Sequence, residues 1–472
     1  MNLHERGLPF AFSRNGGVIL ASRHEDVTEV WVCESTRPEA LAEAGRMLGP
    51  LRVVSLPVEE WQAALSRTYA SGQGAAAQVV DELEEDLDLS RLMQDLPAVE
   101  DLLEASDDAP IIRMINALLT QAAREGASDI HLEVSERNSL VRFRVDGTLR
   151  DVVTLRKALH AALISRIKIM AQLDIAEKRL PQDGRIALRV AGRPVDVRVS
   201  TLPTGHGERA VLRLLDKEAG RLDLTRLGMA EDTLTRFDRL IHQPHGIVLV
   251  TGPTGSGKTT TLYAALSRLD HHTTNIMTVE DPIEYHLDGI GQTQVNPRID
   301  LTFAKALRAL LRQDPDVIMI GEIRDAETAR IAVQASLTGH LVLATLHTND
   351  AVSAVTRLVD MGIEPFLLAS SLLGVLGQRL FRRLCPACHQ DAVALLSCTT
   401  CNRTGYQGRS GVYELLEISG SLRSLIHERA AEADIRQEAL AWGFRTLAQD
   451  GERWVESGLT TRKEMLRVTG DT

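Results

Sequence analysis

The chain has 472 residues, of which 44% are hydrophobic and 25% charged. That is the profile of a globular protein of about three domains, with more than one buried core. It carries 53 basic and 64 acidic side chains, a net charge of −11, and only 4% aromatics. This argues against a general nucleic-acid binder, which needs a basic face, and against a single-strand binder that stacks bases on rings.

The start, "MNLHERGLPFAFSRNGG", lacks the apolar core of a secretory signal, and no run of ~18 apolar residues occurs. A cytoplasmic chain is expected, reaching a membrane only through a partner. Residues 1–70 mix strand-like runs ("GGVILASR", "EVWVCES", "LRVVSLP") with helix-like ones ("PEALAEAGRMLG", "EEWQAALSRTYA"), which predicts a small α/β domain. Cys33 stands alone there and reads as a small buried apolar residue. Residues 71–109 read as an acidic linker. Residues 81–110 hold 12 acids and one arginine, which accounts for the whole net charge. Leu83, Leu87, Leu92, Leu96, Val99 and Leu103 fall at helical spacing within it. A solvated tether with transient helix fits this, and so does a tether whose apolar stripe docks on a partner.

A second α/β domain is expected over 110–225. "IIRMINALLTQAAREGA" has the apolar period of a helix, and "SDIHLEV", "LVRFRVDGTLRDV" and "RIALRVAGRPVDVRVSTLP" alternate as strands do. From 226 to 472, strand-like "IVLV", "IMTV", "VIMI" and "LVLATL" alternate with helical stretches. This predicts a mostly parallel sheet covered by helices. The apolar run "FLLASSLLGVLG" (366–377) reads as a buried helix, and "QRLFRRLC" as a basic cluster that solvates or caps one.

Within this third domain "TGPTGSGKTT" sits between a strand and a helix and matches the phosphate-binding turn G-x-x-x-x-G-K-[ST]. Its residues Gly252, Pro253, Thr254, Gly255, Ser256, Gly257, Lys258, Thr259 and Thr260 are the nucleotide-binding candidates. The glycines let backbone N–H groups turn onto phosphate, and the following helix adds its positive end. Lys258 supplies a charge for the β- and γ-phosphates, and Thr259 a hydroxyl for Mg²⁺. Downstream, "DPDVIMIGEIRD" places Glu322 at a strand's carboxyl end, where ligands of open α/β sheets sit. "IMTVEDPIEY" clusters Glu280, Asp281 and Glu284 after another strand. Either Glu280 or Glu322 can orient and deprotonate the attacking water, although acids after strands are often turn residues. "TGHLVLATLHTNDA" puts His340 before a strand and His347 after it, and His347 is the better placed to meet a γ-phosphate or a carboxylate.

Cys385, Cys388, Cys398 and Cys401 form C-x₂-C-x₉-C-x₂-C, the spacing of a closed Cys₄ zinc site that shapes a loop. His389 is a spare ligand that a fourth cysteine makes unnecessary.

"GPTGSGKTT", "TVEDPIEY", "PDVIMIGEIRDAETA", "GHLVLATLHTNDA", "RLPQDGRI", "STLPTGHGERAVLRLLDK" and "DGERWVESGLTTRKEMLRVTG" together resemble the ATPases of type II secretion and type IV pilus assembly. Among these the chain looks most like the general secretion pathway E family. The resemblance covers 110–472 strongly and the first domain loosely. It implies a RecA-like ATPase domain, a preceding PAS-like domain and an N-terminal docking domain for an inner-membrane partner. It also implies a cytoplasmic hexamer that uses ATP, Mg²⁺ and Zn²⁺ to drive pseudopilus growth and export of folded proteins. Arg198 and Arg213, which look like ordinary strand arginines, are implied to reach the phosphates; Arg308, Arg312 and Arg324 are weaker candidates for subunit contacts. Glu280 is favoured as the water-activating carboxylate, Glu322 as the Mg²⁺-side or water-side one, and His347 as a γ-phosphate sensor. The nine-residue spacing between the cysteine pairs is shorter than in many such proteins. A type IV pilus extension motor shares this chemistry, whereas a DNA-translocating motor fits the balanced charge poorly. A non-hydrolysing scaffold is disfavoured because Lys258, Thr259, Glu280 and Glu322 are all present.

Overall fold

The computed structural model describes most of residues 8–64, residues 110–216 apart from 191–192, and residues 223–470 apart from 390. The expected acidic linker at 71–109 lies outside the described residues. The chain divides into two compact units, 1–217 and 218–472.

The first unit begins with a three-stranded sheet. β1 (Val18–Arg23) pairs antiparallel with β2 (Thr28–Val32). Helix α1 (Pro38–Leu48) then carries the chain to β3 (Leu51–Ser55), parallel to β2. Proline in the first turn of α1 supplies the fixed φ a helix start wants, and Gly49 ends the helix at φ +84. Leu8, Val18, Val30, Val32, Ala44 and Leu48 form the core on one side. Cys33 is buried with Ile19, Trp61 and Ala64 in a second cluster.

The 110–216 portion is a six-stranded antiparallel sheet with two helices. Its elements are α2 (Pro110–Arg124), β4 (Ala127–Val134), β5 (Asn138–Val145), β6 (Thr148–Arg156), α3 (Lys157–Met170), β7 (Gln182–Val190), β8 (Arg193–Thr204) and β9 (Gly207–Asp216). The strand order is β6-β5-β4-β9-β8-β7. Asp146 and Gly147, both at positive φ, make the tight β5–β6 turn that the "DG" pair favours. Alternation divides the faces: Ile130, Leu132, Val141, Phe143, Val197, Val199 and Leu212 join the core with α2 and α3. Many of their strand neighbours, which point to the other face, are charged.

The second unit is built on a seven-stranded sheet ordered β12-β11-β13-β14-β10-β15-β16. In chain order it runs α4 (Glu231–Ile241), β10 (Gly246–Thr251), α5 (Lys258–Leu266), β11 (Ile276–Glu280), β12 (Gly291–Gln294), α6 (Phe303–Leu310), β13 (Val317–Ile320), α7 (Ala326–Leu337) and β14 (Leu341–Leu346). It continues with α8 (Ala351–Asp360), α9 (Pro365–Ser371), β15 (Leu372–Leu384), α10 (Ala392–Ser397), β16 (Tyr406–Glu417), α11 (Gly420–His427), α12 (Glu432–Ala441), α13 (Leu447–Glu456) and α14 (Arg462–Thr469). All pairs are parallel except β15–β16. β10 and β14 are buried at every position because helices cover both faces. Ile247, Leu249, Ile318, Ile320, Val342 and Ala344 feed one core; Val248, Val250, Met319, Leu341 and Leu343 feed the other.

One expected element is different. Only Pro365–Ser371 of the apolar run is helical, and the chain becomes strand β15 from Leu372. A short apolar run does not distinguish buried helix from buried strand. Here Gly374 and Gly377 disfavour helix, and both lie where β16 comes close: a Cβ on Gly374 would stand 3.1 Å from the Leu416 carbonyl oxygen. The basic cluster correspondingly lies along β15 instead of capping a helix. Arg382 donates to Glu464 at 2.7 Å and its guanidinium stacks 4.3 Å from the Tyr406 ring centre.

Candidate functional site

β10 ends at Thr251, and the phosphate turn occupies the gap before α5. Gly252, Gly255 and Gly257 take φ values of +150, +78 and +88, which side chains strongly disfavour. Pro253, Thr254 and Gly255 are exposed at the tip, while Ser256 and Lys258 are buried beneath it. Thr259 and Thr260 lie half-exposed in the first turn of α5. The Lys258 ammonium donates to the carbonyls of Gly252 (2.8 Å) and Pro253 (3.0 Å). Burial pushes it down to about 8; Glu322 opposes this and Arg379 adds to it. The Ser256 hydroxyl is buried with no hydrogen-bond partner. An ammonium held only by two backbone carbonyls under a left-handed glycine turn fits a phosphate group, which would give it a charged partner.

The carboxylates arrive on neighbouring strands. Glu280 ends β11 and Glu322 follows β13, which pairs with β11. Glu280 is 2% exposed. Its carboxylate accepts hydrogen bonds from the Tyr263 hydroxyl, from Thr278 Oγ1 (2.5 Å) and from Gln292 Nε2 (3.1 Å). Burial, then the Glu280 charge, pushes the Tyr263 phenol well above its ordinary value, so it stays a donor. Glu322 has different partners. It pairs with Arg324 and lies 3.2 Å from His347 Nε2, while Arg324 also stands 3.8 Å from Asp281. His347 follows β14, at the same carboxyl end of the sheet as the phosphate turn. His340 is at the opposite end, where its Nδ1 meets the Ala335 carbonyl at 2.8 Å. Arg308 pairs with Glu327, and Arg312 donates to the Arg308 carbonyl at 2.8 Å.

Sequence reasoning missed Tyr263, Gln292, Gln378 and Arg379. None has a local signal, because each joins the site only through strand or helix packing. Gln378 is buried, and its Nε2 donates to the Ser256 carbonyl at 2.5 Å. Arg379 donates to the Asn349 carbonyl, also at 2.5 Å.

In the 110–216 sheet Arg198 and Arg213 lie directly opposite one another on β8 and β9. Strand pairing extends the row: Arg185 is opposite Arg198, Asp129 opposite Arg213, and Arg144 opposite Asp129. Arg213 Nε donates to Asp129 at 2.9 Å with its side chain still 57% exposed. This row across the face away from the helices is thus dominated by arginine, with Asp129 its one carboxylate.

The four cysteines converge. All four Sγ atoms lie within 4.8 Å of one another, with Cys385–Cys398 at 3.8 Å and Cys388–Cys401 at 3.7 Å. A tetrahedron with ~2.3 Å metal–sulfur bonds has edges of about 3.8 Å, so the donor set fits zinc. The Gly405 N–H donates to Cys401 Sγ at 3.3 Å. His389 is outside the cluster.

A parallel sheet with a glycine phosphate turn after one strand, and carboxylates at the ends of two others, defines a P-loop ATPase domain of RecA-like architecture. The chain belongs to the type II/IV secretion system protein family, whose model matches residues 104–467; a second model, for an N-terminal domain of GSPII protein E, matches residues 7–69. It is 64% identical over 467 residues to type II secretion system protein HxcR of Pseudomonas aeruginosa, covering 98% of this chain and 99% of that one. It is 51% identical to type II secretion system ATPase E of Vibrio cholerae, covering 98% and 97%. The crystal structure of the pilus retraction motor PilT with bound ADP aligns with a TM-score of 0.53 at 28% identity, over 74% of this chain and 95% of that one.

Proposed function

We propose that this secretion ATPase works as a cytoplasmic hexamer in which ATP hydrolysis drives pseudopilus assembly and export of folded proteins through a type II secretion system. The observation that carries the reading is the convergence of Lys258, Glu322 and His347 at the carboxyl end of one parallel sheet, with Glu280 ending the strand beside them. The phosphate turn Gly252–Thr260 binds the triphosphate, Lys258 leaves its two carbonyls for phosphate oxygen, and Thr259 takes Mg²⁺. The metal, when bound, neutralises charge on the β- and γ-phosphates. Glu280 orients and deprotonates water, Glu322 holds the metal or water side, and His347 reads the γ-phosphate through its contact with Glu322. Arg198 and Arg213 complete the charge around the triphosphate. Phosphoryl transfer to water needs such positioning and charge rather than covalent chemistry.

We assign residues 1–70 to docking on an inner-membrane partner, 71–109 to a tether, 110–225 to the arginine-bearing domain, and 226–472 to the motor with its zinc loop at 385–401. Among the described residues no helix is long and apolar enough to cross a membrane. The test is ATP turnover and native mass of the full chain, wild type against Lys258→Ala, with and without DNA. Turnover lost in the variant, rings under ATP, and no stimulation by DNA are expected. Full-speed hydrolysis by a strict monomer, or strong stimulation by DNA, would overturn the proposal.

A further inference from the structure

The phosphate turn has little of its own to hold it. Three of its residues are glycines at positive φ, and its internal ties are the Ser256 N–H to the Pro253 carbonyl at 3.3 Å and the two Lys258 bonds. Those Lys258 bonds are the ones the proposed mechanism breaks when phosphate arrives. Something outside the turn must then keep its backbone N–H groups aimed inward.

We propose that Gln378 is the positioning residue that does this, and that with Arg379 it ties together the two loops flanking the phosphates. β15 pairs with β10 so that Gly377 is opposite Thr251, the last residue before the turn. Gln378 therefore emerges where the turn begins, and it is 1% exposed. Its Nε2 donates to the Ser256 carbonyl at 2.5 Å. Its backbone carbonyl lies so close to Gly252 that a Cβ there would stand 2.5 Å from the oxygen, and a Cβ on Gly257 would stand 3.1 Å from Nε2. Three residues of the turn thus rest on this one side chain and its peptide. The next residue reaches the other loop: Arg379 donates to the Asn349 carbonyl at 2.5 Å, in the segment that begins with His347. Adjacent residues of one strand hold the phosphate turn and the histidine loop at a fixed spacing.

A second feature points to nucleotide rather than to simple packing. Gln378 Oε1 and Ser256 Oγ are both buried and both lack a hydrogen-bond partner. Buried polar atoms are left unsatisfied rarely, and here the pair adjoins the proposed phosphate pocket. A small rotation of the turn on phosphate binding can let the Ser256 hydroxyl donate to Oε1. Gln378 would then gain a bond when nucleotide is bound, so its contribution favours bound nucleotide.

This inference rests on the ATPase reading, and the experiment separates the two. Gln378→Met keeps the volume and removes the donor and the acceptor. Gln378→Asn keeps both but falls a methylene short, and serves if the Met variant does not fold. Fluorescent ATP and ADP binding, KM and kcat, and the nucleotide-free melting temperature are measured for each and for wild type. We expect Kd and KM to rise about tenfold, the factor that ~1.4 kcal/mol represents, with a melting temperature close to wild type. A folded variant whose Kd and KM stay within twofold of wild type overturns the inference and leaves the ATPase reading standing. A wild-type chain that binds no nucleotide overturns both.

Discussion

Replacing Glu280 by Gln tests the choice of water-activating group most directly. The substitution keeps shape and removes a charge. Tyr263, Thr278 and Gln292 all donate to this carboxylate, and Gln offers one acceptor oxygen where Glu offers two. At least one donor loses its acceptor, which costs about 1–3 kcal/mol of stability. The catalytic loss should be larger: a positioned general base contributes about 10²–10⁴-fold, or roughly 3–5 kcal/mol of barrier. The assay pairs steady-state turnover at saturating Mg·ATP with a fluorescent-nucleotide titration and a melting curve. Turnover is expected to fall at least about a hundredfold, with nucleotide affinity nearly unchanged and the protein still folded. Wild-type turnover in a folded Glu280→Gln protein would refute the reasoning. The carboxylate would then be a strut that fixes Tyr263 and Gln292, and Glu322 would become the candidate base.

Other consequences follow from separate parts of the molecule. Arg213→Ala and Arg198→Ala should each lower turnover at least about tenfold, as loss of a cation aimed at developing charge does. Their melting temperatures should change little, because Arg213 is 57% exposed and the buried Asp129 keeps the Ser128 hydroxyl at 2.8 Å and Arg144 at 3.7 Å when Arg213 is removed; unchanged turnover in both would count against their role. Chelating zinc should unfold residues near 385–401, seen as rapid hydrogen exchange there, and leave nucleotide binding largely intact. An ordered zinc-free loop would contradict this. Burial pushes the Glu464 carboxyl up, but hydrogen bonds from Arg467 and Arg382 outweigh it and hold the group at about 2, against an ordinary 4.5. The ionised form therefore stabilises the fold fully above pH 4.5, and that contribution, about 3 kcal/mol, is lost as pH falls from 4.5 toward 2. Urea unfolding at pH 6 and pH 3 should show the gap between wild type and Glu464→Gln narrowing at the lower pH; a constant gap would show that the ion pairs do not carry it.

Parts whose chemistry is local could be read from the chain alone. The phosphate turn is legible because three glycines, a lysine and a threonine act through adjacent backbone groups. The cysteine cluster is legible because each pair of thiols is set by a two-residue knuckle. β10, β11, β13 and β14 are legible because continuous apolar runs at this length fit strands buried on both faces. Whatever depends on which distant segments meet was left to the folded molecule. The run 366–377 reads as buried helix in the sequence, yet it turns to strand at Leu372, where β10 and β16 close on its glycines. Arg198 and Arg213 are fifteen residues apart in the chain and become neighbours only through antiparallel register. Tyr263 and Gln292 meet Glu280, and Gln378 meets Ser256, across 12 to 122 residues. No periodicity records such meetings, because a side chain's partner across a sheet is fixed by strand order, and strand order is a property of the whole fold.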